Sequence, residues 1–444
     1  MHPDQSAWLR RGFLLGAAVF LTACTIHFKQ ETSFNNDSLL QRMLVAEDAR
    51  GTGAEGMAPL LEGEKSSDTL IHRVAVRGLE RLKWVPTPPA APATAAAPAR
   101  AGRGAAPRAP GAPCARLIAP SQSTDLRVSL AAADSLATCA DDGSTWVRLA
   151  VSANDNIRAA AITALGRAAK YAYDTIYIKA LSAHGYQVVL AAAGALKGSP
   201  NKAQALPPLF AALDRLTAER RENSRDERIA ILDRLAEFGS RENVPRLAPY
   251  ATDYDSTVAQ HAAKLLTTWS GATVVAHPVP LPIRREPLAR IFRTKGMQLR
   301  ITMAESSGGG TILINLFNDE APATIARVTR LAREHYYDGL SFHRFVPGFV
   351  IQGGSPGANE VVGDAQFMRD ELLGHPHLRG TVGISTRGHD TGDAQFFINL
   401  VDNRRLDHDY TVFGEVISGM DVVDRVRAGD VMARVEVIEG TIPN

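Results

Sequence analysis

Two hydrophobic periodicities divide the chain. Asp155–Leu165 (D-N-I-R-A-A-A-I-T-A-L) carries apolar residues at helical spacing, echoed by Val188–Leu196, Arg228–Leu235 and Val258–Leu265 at intervals of about 30 to 40 residues. Small residues on one face let neighbouring helices approach, and a unit this short buries its apolar face only by stacking on the next. The pattern predicts an α-solenoid; an irregular helical bundle is the alternative. From Met297 the spacing changes. Met297–Met303 and Thr311–Phe317 place apolar residues at every second position on either side of S-S-G-G-G, which predicts a β-hairpin. Pro322 then opens a helix with the stripe Ile325, Val328, Leu331 and Ala332, ended by Gly339, and a short second helix covers Met420–Val426. Many strands with only two helices enclose a core as a closed antiparallel barrel with helices over its ends.

Two composition breaks frame these regions. Pro86–Pro113 offers proline, alanine and glycine with no acidic residue and nothing to bury, so it reads as an extended insertion. The proline-rich Ala276–Pro282 stops the helical pattern. The expected organisation is a helical region over 36–272 with the insertion at 86–113, a linker over 273–295 and a strand-rich domain over 296–441. Asp68–Leu79, before the insertion, has the look of the later repeats, and those repeats resemble HEAT-type units. Such arrays present long concave surfaces, which suits binding of protein partners.

The 444 residues are 45% apolar and 22% charged with a net charge of +2, a globular balance that recommends neither nucleic acid nor an acidic tail. The N-terminus is more specific. Arg10 and Arg11 precede the apolar stretch Gly12–Ala23, too short to span a bilayer core of about 30 Å but suited to a signal peptide. Its end, L-T-A-C, resembles the lipobox of bacterial lipoproteins, which implies a signal over residues 1–24, lipidation at Cys24 and a membrane anchor in the bacterial envelope, facing the periplasm. An ordinary secretory signal and a twin-arginine route are the alternatives. Cys114 and Cys139 are then left for the folded part, readable equally as a disulfide or as two separate thiols. No ligand spacing suggests a metal, and no cofactor is implied.

The segment Ser341–Ser355, S-F-H-R-F-V-P-G-F-V-I-Q-G-G-S, sets an arginine inside an apolar run, where a guanidinium is costly unless it has a partner or a task. Together with Y-Y-D-G-L-S before it and R-G-T-V-G-I-S, D-A-Q-F-F-I-N and Y-T-V-F-G-E-V-I-S-G-M-D-V-V-D after it, this segment closely resembles the cyclophilin peptidyl-prolyl isomerases. The resemblance spans about residues 296 to 441, with five blocks in the family's order. It implies an eight-stranded antiparallel barrel, catalysis of cis/trans exchange at X-Pro bonds and proline-containing polypeptides as substrates.

By the same resemblance, Arg344 weakens the amide, and Gln352 bonds the substrate backbone and helps to orient Arg344. Phe349, Val350 and Phe397 grip the proline ring with Leu406 on the rim, Gln395 forms a polar wall, and Thr386 and Tyr410 line the pocket. Phe349 and Gln352 differ in strand parity, so a bend is needed if both reach one site, and Gly353 and Gly354 are placed to permit it. The chain departs from the family pattern in Arg405 for a common Trp, which puts cyclosporin sensitivity in doubt, in Tyr410 for a His, in Thr386 for an Asn and in Ser385 for an Ala. His343 and His389 lack partners at ligand spacing, and the reaction moves no proton, so both read as structural or surface residues. An active envelope isomerase whose repeats collect clients is the leading expectation; the other is a non-catalytic scaffold that recognises proline segments.

Overall fold

The computed structural model describes residues 38–43, 45–46, 54–83, 114–136, 139, 143–168, 170–282, 291, 294–372 and 375–441. The signal segment with Cys24 and the Pro86–Pro113 stretch lie outside the described residues. By its contacts the chain divides into two units, Met1–Pro88 and Pro89–Asn444. In the first, the helices Ala54–Glu64 and Thr69–Lys83 pack together over the buried Leu60, Ile71, Val74 and Ala75.

In the second unit the four repeated sequence segments all form helices, Asp155–Arg167, Tyr186–Ala195, Arg225–Phe238 and Ser256–Ser270, each packed against the next. Their starts follow from capping chemistry. The Asn154 side chain accepts from the N–H groups of Asn156 and Ile157, and Asp255 does the same for Thr257 and Val258. Small residues set the closeness of packing: a Cβ on Gly166 would lie 2.6 Å from Ala195 Cα, so the first two of these helices touch at a point that admits no side chain. Lys202–Ala218 covers the other side, against Arg225–Phe238 and Asp174–Ala180. Cys114 and Cys139 are joined as a disulfide, with Cα atoms 5.1 Å apart.

The strand-rich region begins with the expected hairpin, β1 (Gln298–Met303) against β2 (Thr311–Leu316). It continues through β3 (Ser341–Phe342), β4 (Arg344–Val346), β5 (Val350–Gly353), β6 (Thr381–Ile384), β7 (Phe396–Asn399), β8 (Val412–Ser418) and β9 (Asp430–Ile438). The sheet order is β3-β9-β1-β2-β8-β6-β7-β5-β4 with antiparallel pairing. Its two edge strands are consecutive in the chain. Ser341 and Phe342 pair with β9, whereas Arg344 to Val346 pair with β5, so a single strand interrupted at His343 joins the two edges into a nearly closed barrel. Counted as one interrupted strand, the sheet has eight strands.

The helix Pro322–Arg333 buries Ile325, Val328, Leu331 and Ala332 as its pattern requires, but it ends well before Gly339. The chain turns at His335, at φ 59°, because Tyr337 enters the core, where its hydroxyl donates to the Ala394 carbonyl at 3.0 Å. The second helix is Met420–Arg425.

Among the described residues, helical region and barrel touch on two sides. Arg127, on the helix Leu126–Leu136, lies so near Gly429 that a Cβ there would be 2.6 Å from Arg127 Cα, and its guanidinium donates to the Ser306 carbonyl at 3.2 Å. On the other side the loop 356–367 after β5 rests on the helices, with Val361 and Val362 packed against their core. The proline-rich segment is itself tied down: the N–H of His277 donates to Ala251 at 2.8 Å, and the Gln366 side chain donates to the Pro282 carbonyl at 3.0 Å.

Candidate active site

One row of residues crosses four strands. Arg344 on β4 is directly opposite Gln352 on β5, Gln352 is opposite Phe397 on β7, and Phe397 is opposite Gly383 on β6. Opposed residues of antiparallel strands project from the same face, so arginine, glutamine and phenylalanine share one surface while their neighbours Ile351, Ile398 and Val382 fill the barrel. Gly383 makes room in that row. A Cβ there would stand 2.5 Å from Phe397 Cζ, so the aromatic ring lies over the bare backbone. Phe397 is further held edge-on by Tyr410, with centroids 5.8 Å apart, and stacked on His377 at 5.9 Å.

His377 is buried and was not singled out from sequence. Its Nδ1 lies 3.2 Å from Asp407 Oδ1, which also accepts from the His377 N–H at 2.7 Å. Burial lowers its pKa, so the ring is a neutral wall behind Phe397. Burial likewise raises the pKa of Tyr410 and keeps its hydroxyl protonated, hence available as a donor.

The expected bend at Phe349 has a different origin from the one anticipated. Phe349 stands outside β5, in the turn that joins β4 to β5, where its N–H donates to Val346 at 3.0 Å and Gly348 takes φ 65°. Strand parity therefore does not bind it. Gly353 remains within the strand, and at Gly354, with φ 90°, a Cβ would lie 2.9 Å from the Ala394 carbonyl oxygen. The Phe349 ring is half-buried, with the Arg405 guanidinium 4.4 Å from its centroid and that of Arg344 at 6.0 Å. Arg405 thus stacks as a planar cation on an aromatic face of the rim. Val350 is buried on the same face as Gln352, and Leu406 is half-buried in the short turn Arg404–Leu406. Thr386 is half-buried just past β6.

The polar side is a chain of bonds. Gln352 Nε2 donates to Gln395 Oε1 at 3.2 Å, and Gln395 Nε2 donates to the carbonyls of Glu360 and Val362 at 3.3 and 3.2 Å. Gln395 is set by Asp393, buried just ahead of β7, whose Oδ1 accepts from the N–H groups of Ala394 and Gln395. Arg344 has a partner that sequence did not suggest: its Nε lies 2.8 Å from Glu360 Oε1, the two side chains being 28% and 49% exposed. The pair engages Nε and leaves the Nη donors of the guanidinium for a ligand.

His343 sits at the break between β3 and β4 and is buried. Burial, reinforced by the charge of Arg344, pulls its pKa down to about 4. Unfolded, the ring protonates near pH 6.5; folded, it resists until about pH 4, so between these values the unfolded chain binds more protons and stability rises with pH. On acidification from pH 7 to pH 4 the wild type is expected to lose about 3 kcal/mol more than a His343→Gln variant, measured by urea unfolding at both values. Parallel losses would place the ring in contact with water. His389 is a surface residue, its Nδ1 3.1 Å from Asp370 Oδ2.

Residues 300–442 match the family model described as cyclophilin type peptidyl-prolyl cis-trans isomerase/CLD. Peptidyl-prolyl cis-trans isomerase B of Bacillus subtilis is 40% identical over 131 residues, which are 29% of this chain and 92% of that protein. The chain belongs to the cyclophilin-type peptidyl-prolyl cis-trans isomerases. Peptidyl-prolyl cis-trans isomerase B of Escherichia coli is 37% identical over 129 residues, 27% of this chain and 79% of that protein. A crystal structure of a Cryptosporidium parvum cyclophilin type isomerase aligns with 34% of this chain and 100% of its own, at 22% identity and a TM-score of 0.30. Cyclophilin chemistry needs no nucleophile and no proton transfer. The amide barrier of about 18 to 20 kcal/mol arises from nitrogen donating into the carbonyl, and a fixed cation near the prolyl nitrogen favours the twisted state in which that lone pair is localised.

Proposed function

We propose that this face isomerises X-Pro bonds of proteins in the bacterial envelope. The observation that carries the catalytic part is the single row Arg344–Gln352–Phe397, which sets a guanidinium, an amide and an aromatic ring on one surface. Phe349, Val350, Phe397, Leu406 and Tyr410 hold the proline ring. Gln352, Gln395 and the chain at Thr386 hold the substrate backbone. Arg344 approaches the prolyl nitrogen through its Nη donors. Full-length protein is expected to accelerate exchange of an Ala-Pro-Phe peptide, followed by NMR exchange spectroscopy; an exchange rate equal to the uncatalysed one would reject the assignment.

The envelope address rests on the basic, apolar and L-T-A-C order of the N-terminus, and the Cys114–Cys139 disulfide agrees with an oxidising compartment. Lipid at Cys24 would anchor the chain on the periplasmic side. The mature N-terminal peptide isolated from membranes should carry the mass of a lipid-modified Cys24, and an unmodified Cys24 or a retained Met1 would refute this. Successive packing of the four repeat helices supports a HEAT-like solenoid, whose role would be to gather clients or partner proteins for the barrel.

A further inference from the structure

We infer that the helical region positions the catalytic arginine, through the loop 356–367 and Glu360. This rests on the assignment of Arg344 as the cation that meets substrate. The loop, P-G-A-N-E-V-V-G-D-A-Q-F, is held from two sides: Arg327, on the barrel's helix Pro322–Arg333, bonds the Asp364 carboxylate at 2.7 Å and the Gln366 carbonyl at 3.0 Å, and the helical region takes both ends of the stretch that carries Glu360. At one end Asn156, in the first turn of the helix Asp155–Arg167, donates through Nδ2 to the carbonyls of Gly357 and Ala358 at 3.0 and 3.3 Å, while Asn359 Nδ2 returns a bond to Asn156 Oδ1 at 3.1 Å. At the other end Asn223 donates to the Gly363 carbonyl at 3.1 Å, and Glu222 bonds Ala365 and Phe367 through its backbone and side chain at 2.8 and 2.7 Å.

Glu360 lies between these two anchors. Its carbonyl takes hydrogen bonds from Gln395 and from Arg387, at 3.3 and 2.9 Å, and Arg387 is itself paired at 2.7 Å with Asp226 on the helix Arg225–Phe238. Its carboxylate holds Arg344 Nε at 2.8 Å. The same short stretch thus touches the helices, the polar wall and the arginine. Arginine carries a long stem with many rotamers, so a carboxylate fixed at Nε selects the one that aims the Nη donors across the row. The helices, by fixing the loop backbone on both sides of Glu360, extend the supporting shell of the site beyond the barrel. Glu360 and Asn156 are positioning residues: neither needs to touch the peptide.

Positioning predicts a loss in kcat with little change in KM, because a misaimed donor weakens transition-state contacts more than binding. In the full-length protein Glu360→Ala should lower kcat about tenfold with KM within about twofold, and Glu360→Gln, which keeps an oxygen for Nε, should recover most of that. Asn156→Ala combined with Asn223→Ala should lower kcat about fivefold, and Asn359→Ala, approaching the same contact from the loop, should act in the same direction. When the helical pair is combined with Glu360→Ala, the total loss should be clearly smaller than the product, since both act through one side chain. Losses that multiply, or wild-type kcat in the helical pair and in Asn359→Ala, would overturn the positioning role while leaving Arg344 in place. Wild-type kcat in Arg344→Ala would instead remove the assignment beneath it.

Discussion

Replacing Arg344 with alanine is expected to lower kcat/KM for a proline peptide by about 10²- to 10³-fold in the full-length chain, the size of effect that follows loss of one preorganised donor to a transition state. No other group in the row carries a charge toward the prolyl nitrogen: Gln352 is a neutral amide bonded to Gln395, and the remaining members are apolar. A tenfold change corresponds to about 1.4 kcal/mol, so this residue would supply about 3 to 4 kcal/mol of the barrier reduction. Arg344→Lys should fall close to the alanine variant. A lysine ends in one point charge, which can answer Glu360 or the substrate but not both, whereas arginine answers Glu360 through Nε and the substrate through Nη. Line-shape or exchange NMR on an Ala-Pro-Phe peptide measures both variants, with far-UV circular dichroism as a check on folding. An alanine variant within about threefold of wild type would remove Arg344 from the mechanism.

The barrel site was legible in the sequence because its residues are carried by blocks with fixed spacing and mostly by strands, whose parity decides which side chains share a face. Gln352 and Phe397 reach one surface from different strands as that logic requires. The parity argument was misapplied at Phe349, which belongs to a turn, and nothing in the alternating pattern marks where β4 stops and the turn at Gly348 begins. Glu360 and Arg387 escaped notice for another reason. A lone charged residue in a loop of small residues reads as a solvated surface group, and it is the folded course of that loop, held by both barrel and helices, that brings Glu360 against Arg344. Periodicity located all four repeat helices but said nothing of which surface they offered the barrel. The pattern of Arg228–Leu235 did not mark Arg228 as buried; its burial depends on Asp253, which lies just before the helix Ser256–Ser270.

That buried pair carries the largest expected effect on stability. Arg228→Met should lower the unfolding free energy by about 3 to 5 kcal/mol, read from urea denaturation, because it strands Asp253 without its cation. Both side chains are fully buried, Arg228 Nη1 donates to the two carboxylate oxygens at 2.8 and 2.9 Å, and the guanidinium stacks 4.3 Å from the Tyr254 ring centroid. Burial already pushes the Asp253 carboxyl up, with Arg228 as the main opposing influence, so loss of the cation leaves a choice between a buried lone carboxylate and its protonation. Combining Arg228→Met with Asp253→Leu should restore most of the lost stability, since apolar groups can replace an ion pair that neither partner can leave alone. A residue of about 1 kcal/mol should remain, because Asp253 also accepts from the Asp255 N–H at 2.8 Å. Asp255 links this network to the barrel: it caps the helix Ser256–Ser270 and holds Arg225 Nε at 2.6 Å, and the Arg225 guanidinium lies 4.8 Å from the Phe367 ring centroid at the end of the docked loop. A single Arg228→Met variant as stable as wild type would mean that water reaches the pair. A double variant no better than the single one would assign its value to packing against Tyr254 rather than to charge.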